Sequence, residues 1–125
     1  MILADTSVWI DYLRHRNLEM HKRLKNGQIA MHPFIIAEIA LGSLHNRHQR
    51  LGEMDALSQV QIANIREVRK MIELRQLFSK GLGLVEAHLL LSCLLTPGLH
   101  LWTLDARMEM AAKSIGITIH SPAKS

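Results

Sequence analysis

Four acidic residues sit where a charge is costly or conspicuous in this chain: Asp5, Glu38, Glu86 and Asp105. Asp5 and Asp105, two of only four aspartates, fall just past short apolar runs, Ile2-Leu3-Ala4 and Leu99-His100-Leu101-Trp102-Thr103. In open α/β sheets the ligand crevice lies outside the carboxyl ends of the strands, so both could meet there. Each also suits the N-cap of a following helix, and the two roles are compatible. Glu38 is surrounded by Phe34, Ile35, Ile36, Ala37, Ile39, Ala40 and Leu41, which predicts a helix apolar on every side and therefore buried. Glu86 repeats the pattern among Val85, Ala87, Leu89, Leu90 and Cys93.

A buried carboxylate must take up a proton or find donors or a cation. A private salt bridge to an arginine is the plainer alternative for each glutamate, yet lone buried ion pairs seldom add stability. Four carboxylates gathered at one end of a sheet would repel one another unless cations held them. Oxygen-only ligands suit Mg²⁺ or Mn²⁺, which keep waters and share their coordination with phosphate oxygens. The chemistry that follows is metal-dependent phosphodiester hydrolysis, with one ion activating water and a second, about 4 Å away, steadying the leaving oxygen.

Short strands must carry these acids. Asp5-Thr6-Ser7 ends the first run, and Val8, Trp9, Ile10 and Leu13 then return with helical spacing. A helix over about residues 17–26 stops at Gly27, Ile29-Ala30-Met31 reads as a buried strand, and Pro33 opens a helix to about Leu44. Amphipathic helices are predicted over about Arg47–Leu57 and Asn64–Phe78, and a strongly apolar one over about Leu84–Leu95. A strand over Leu99–Thr103, a helix over about Ala106–Ser114 and a last strand over Ile115–Ile119 complete the alternation. This order predicts an α/β sandwich with a mostly parallel sheet, in a single domain spanning 1–125.

Composition narrows the function. With 125 residues, 48% hydrophobic and 21% charged, the chain can bury a core without disulfides, and its one cysteine, Cys93, lies in an apolar run. A basic leader is absent and no apolar run approaches the roughly 20 residues of a bilayer span, so a cytoplasmic protein without membrane contact is expected. A net charge of +4 favours an anionic partner, nucleic acid first. At 4% aromatic residues there is little material for base-stacking platforms.

The opening Ile2-Leu3-Ala4-Asp5-Thr6-Ser7-Val8-Trp9-Ile10-Asp11 belongs to a wider pattern. With His32-Pro33-Phe34 through Glu38-Ile39-Ala40-Leu41-Gly42, Gly83-Leu84-Val85-Glu86-Ala87-His88-Leu89-Leu90 and Leu101-Trp102-Thr103-Leu104-Asp105, it resembles the PIN-domain ribonucleases. More narrowly it is similar to the VapC toxins of prokaryotic toxin-antitoxin pairs, over nearly the whole chain and in the right order. The resemblance implies a PIN-like three-layer α/β/α sandwich with a short, mostly parallel sheet flanked by helices. It also implies a Mg²⁺ or Mn²⁺ site, endonucleolytic RNA cleavage, a homodimer and neutralisation by a small VapB-type antitoxin. Asp5, Glu38 and Asp105 match the family's acidic positions. Glu86 departs from them, because aspartate is usual there and the extra methylene moves the carboxylate out by roughly 1.5 Å. Thr6, Ser7 and Thr103 sit where family hydroxyls would orient carboxylates or water, and they serve equally as turn and capping hydroxyls.

Of the eight histidines, His15, His21, His45 and His48 lie in polar, basic stretches, which argues against a metal-free imidazole mechanism. An aspartyl phosphotransferase would want a second acid two residues after Asp5, where Ser7 stands. The alternative from another class is a catalytically impaired PIN-like module that binds RNA or protein, with Glu86 having spoiled the chemistry. The basic stretches Lys22-Arg23-Leu24-Lys25 and Arg47-His48-Gln49-Arg50 suit a phosphate backbone or simply a solvated face. The apolar first helix offers Trp9 and its neighbours to a dimer or antitoxin groove as well as to the core.

Overall fold

The computed structural model describes residues 1–122; the last three residues of the expected domain lie outside them. Four strands form one sheet: β1 (Ile2–Ala4), β2 (Ile29–Met31), β3 (Ser58–Gln59) and β4 (His100–Trp102). Their spatial order is β3-β2-β1-β4 and every pairing is parallel, with Leu3 opposite both Ala30 and Leu101. Among the described residues seven helices surround the sheet: α1 (Thr6–His15), α2 (Leu18–Lys25), α3 (Pro33–Ala40), α4 (Arg47–Asp55), α5 (Ile65–Leu74), α6 (Leu84–Leu95) and α7 (Ala106–Ser114). This is the PIN-like α/β/α sandwich.

β1 and β2 are buried along their whole length, because helices cover both faces of the parallel sheet, which is why they read as unbroken apolar runs. Leu3, Met31 and Leu101 are wholly buried at the centre of the core. Polar side chains fix where the helices begin. Asp5, Asn17, His32, Asn64 and Asp105 each accept a backbone N–H in the first turn of the helix that follows, and Pro33 occupies the position that tolerates a missing N–H.

Several boundaries differ from the sequence reading. The third helix ends at Ala40, not near Leu44, because the Arg47 guanidinium takes the carbonyls of Ala40 and Gly42 and turns the chain into α4. The fifth ends at Leu74, not Phe78, because the chain folds back, with Gln76 left-handed, to bury Leu77. β3 was not expected, since its two residues are polar and exposed at the sheet edge. The expected strand over Ile115–Ile119 shrinks to one parallel bridge between Leu101 and Ile119. The Ile117 N–H is still held by the end of α7, so pairing to β4 begins only at Thr118.

Trp9 is core, 3% exposed, and so is not a surface side chain free for a partner. Cys93 is also buried, and desolvation pushes its thiol up to about 12, as an inert packing residue. Among the described residues no helix is long and apolar enough to cross a membrane.

Candidate active site

The chain steps from β1 to β2 to β3 on one side of the sheet and then crosses back to place β4 on the other side of β1. The gap between β1 and β4 is therefore a topological switch point, where a parallel sheet opens a crevice at its carboxyl end. Asp5 follows β1 directly, and Asp105 follows β4 by three residues. The backbone ties them, since the Asp5 N–H donates to the Trp102 carbonyl at 2.9 Å.

Side chains tighten the junction. The Ser7 hydroxyl donates to Asp5 Oδ1 and accepts the Leu104 N–H at 3.0 Å, so one oxygen joins the start of α1 to the loop before α7. Thr103 Oγ1 accepts the Asp105 N–H at 3.0 Å, one residue beyond the Trp102 carbonyl that holds the Asp5 N–H. The Thr6 hydroxyl donates to Glu38 Oε1 at 2.6 Å, which brings α3 to the same place. Thus Asp5, Thr6, Ser7, Glu38, Thr103 and Asp105 form one cluster through backbone adjacency and hydrogen bonds. The hydroxyls that serve equally as turn residues orient the acids here.

Glu86 stands apart from that chain of bonds. Its Oε1 accepts the Gly83 N–H at 2.9 Å and caps its own helix. The loop before α6 still meets the α7 end of the site, because a Cβ built on Gly81 would lie 2.9 Å from Arg107 Nη1, and Gly81 has φ +76°. Glycine takes that left-handed backbone geometry without strain, and the flexible Arg107 guanidinium rests against it.

Burial separates the four acids more than the sequence suggested. Asp5 is 5% exposed, Glu86 and Asp105 are half-buried and Glu38 is exposed. The expected all-round burial of the Glu38 helix is corrected: Ile35 and Ile39 face the core while Ala37, Glu38 and Leu41 face outward, so the apolar residues include a surface set. The four acids are therefore not buried together: Glu38, Glu86 and Asp105 reach solvent while Asp5 stays desolvated. Neither glutamate is tied to an arginine, and Asp105 alone has Arg107 Nε nearby, at 3.8 Å. Among the described residues no three His, Cys, Asp or Glu side chains stand ready to enclose a metal ion.

Electrostatics single out Asp5. Burial pushes its carboxyl above the ordinary aspartate range, opposed by hydrogen bonds from Ser7 and Thr103 and from backbone N–H groups. A desolvated carboxylate is the one whose ionised form gains most from a neighbouring cation. The hydrogen bonds of Glu38, Glu86 and Asp105 all fall on one oxygen each, leaving the other free for another ligand.

His32 and His88 were missed as a pair. They are buried together against Phe34, with ring centroids 6.2 Å apart, and His32 Nδ1 caps α3 by accepting the Phe34 N–H. His-Pro at a helix start was the available signal, because an imidazole acceptor can substitute for an N-cap oxygen.

No family model matches the chain. Two curated relatives match it, each named Ribonuclease VapC32, from Mycobacterium tuberculosis strains CDC 1551 / Oshkosh and ATCC 25618 / H37Rv. Both are 38% identical over 119 residues, 95% of this chain and 96% of theirs. With identity at that level over nearly the full length and acids seated at the switch point of a parallel sheet, this chain belongs to the VapC-type PIN-domain ribonucleases.

Proposed function

We propose that this protein is a Mg²⁺- or Mn²⁺-dependent endoribonuclease, the toxin of a type II toxin-antitoxin pair, hydrolysing RNA phosphodiester bonds in the cytoplasm. The observation that carries the reading is the hydrogen-bonded junction that draws Asp5, Glu38 and Asp105 to the switch point beside β1. Asp5, Glu38, Glu86 and Asp105 are the residues that would hold the metal, all through oxygen, as those hard cations require. A bound ion supplies a more acidic water and neutralises charge on the phosphate. The chain's own residues set up that chemistry. Ser7 fixes the rotation of Asp5, Thr6 aims Glu38, and Thr103 holds the backbone that presents Asp105. Glu86 would contribute from α6 the oxygen that its helix cap does not use.

RNA cleavage in Mg²⁺ or Mn²⁺, abolished by EDTA and by Asp5→Asn, is the expected result. A rise in Tm on adding Mn²⁺, absent in Asp5→Asn, reports the site without turnover. Cleavage unaffected by both EDTA and that substitution overturns the metal reading.

A second reading has its own observation, the commitment of Glu86 Oε1 to Gly83. On it the fold binds RNA or a protein without cutting, and RNA binding with no cleavage in either metal is its signature. A VapB-type antitoxin and a second copy of the chain are the proposed protein partners. Exposed Ile65, Leu74 and Phe78 on and after α5, with Leu84 at the start of α6, supply apolar surface for the homodimer.

A further inference from the structure

We propose that the groove between α1, α3 and the start of α4 is the track on which single-stranded RNA lies, with Arg14, Arg16 and Arg50 on its phosphates. The inference rests on the ribonuclease reading and assigns the residues that would position its substrate. The groove encloses about 740 Å³, and Arg14, Arg16, His21, His45 and Arg50 line it. Glu38 belongs to the same wall, and its bond from Thr6 joins that wall to the carboxylate cluster.

Charge selects the occupant. Glu38 is the only carboxylate of that wall, and Thr6 already hydrogen-bonds it. Among the described residues none of the three arginines is in an ion pair, whereas Arg23 and Arg107 each have a carboxylate. Three guanidiniums without counter-charge, leading into a cluster of acids, form a path for a polyanion that the acids alone would repel. Their planar forks match phosphate oxygens in pairs. Tyr12 in the same wall offers a ring face to a base, which needs no particular sequence.

Backbone geometry gives a further test at Arg16. This residue closes α1 with φ 52° and ψ 53°, in the left-handed region where glycine is the unstrained choice. Asn46, Gln76 and Ser79 adopt that region too, so the role of Arg16 rests on its place in the groove wall, while its geometry lets glycine replace it without strain.

The test is fluorescence anisotropy of a labelled oligoribonucleotide in EDTA, so that binding is read without cleavage, over a series of NaCl concentrations. Removing three phosphate contacts with Arg14→Ala, Arg16→Ala and Arg50→Ala together should lower the slope of log affinity against log salt by about two. An equal charge removal on α5, with Arg66→Ala, Arg69→Ala and Lys70→Ala, should leave that slope near wild type. Arg16→Gly alone should weaken RNA binding while raising Tm, a combination that a merely structural arginine does not give. A wild-type slope in the groove variant, an equal loss in the α5 variant, or a lower Tm with Arg16→Gly overturns the proposal. The first of these leaves the groove to a protein partner. Failure of the wild-type protein to cleave RNA in Mg²⁺ or Mn²⁺ is a separate result, and it counts against the ribonuclease reading itself.

Discussion

Acidifying the protein should unfold it through His32, and the size of the effect follows from that one side chain. His32 is fully buried, and its Nδ1 accepts the Phe34 N–H at 3.0 Å, so the ring proton resides on Nε2, which has no partner. Protonation would convert the accepting nitrogen into a donor and break the cap on α3. Desolvation, with a smaller push from His88, lowers the His32 pKa from 6.5 to about 4. Between those values the unfolded chain binds the proton and the folded chain does not, so stability falls as pH drops through the window and levels off below about 4. By linkage this one group removes roughly 2–3 kcal/mol between about pH 7.5 and about pH 4.5. His88 and His120, both shifted down by burial, act in the same direction. Asp5, shifted up, acts against them, because the folded state holds its proton more readily. His32→Asn keeps an oxygen that can cap α3 and does not titrate in this range. Urea unfolding at both pH values, for wild type and variant, isolates the term: wild type should lose roughly 2–3 kcal/mol more than the variant on acidification. Equal losses within about 0.5 kcal/mol, or an imidazole NMR titration of His32 with a midpoint near 6.5, would refute the argument.

Glu86→Gln retains an oxygen for the Gly83 N–H, so Tm should stay within about 2 °C of wild type while RNA cleavage drops by about 10²-fold or more; unchanged cleavage removes Glu86 from the site. Thr6→Val frees the Glu38 side chain, and should lower kcat several-fold with little change in thermal unfolding, since the lost bond is at the surface. Leu101→Ala, at a wholly buried position on β4, should cost about 2–5 kcal/mol by chemical denaturation, and a cost below about 1 kcal/mol would place Leu101 outside the core. Asp5→Asn removes a carboxylate that burial disfavours, so without metal the variant should be at least as stable as wild type near pH 7 even as cleavage is lost.

Apolar runs made the central sheet legible. Ile2–Ala4, Ile29–Met31 and the middle of Leu99–Thr103 are strands because parallel strands covered on both faces have no polar side to interrupt the run. The same logic hid Ser58–Gln59, an edge strand whose pairing to β2 is made by backbone alone. It also overstated Ile115–Ile119, where a left-handed Gly116 keeps the chain tied to the end of α7. At the site, Asp5 and Asp105 were readable as residues past strand ends, and the structure gives each of them the cap role. The burial of Glu38 was misjudged, since apolar neighbours on a short helix show only that some face is buried. The hydroxyl bridges through Ser7 and Thr6 were beyond sequence reasoning in detail, because they join residues 97 and 32 positions apart.

That long separation governs when the catalyst comes into being. β1 is synthesised well before β4, one of its two neighbours in the sheet. Until Leu104 has left the ribosome, Ser7 lacks half of its bridge and Asp5 lacks the strand beside it. Non-local pairing of this kind forms late. A ribonuclease built this way would stay unassembled until β4 and Leu104 have emerged, and its acids would come together only once the sheet closes on both sides of β1.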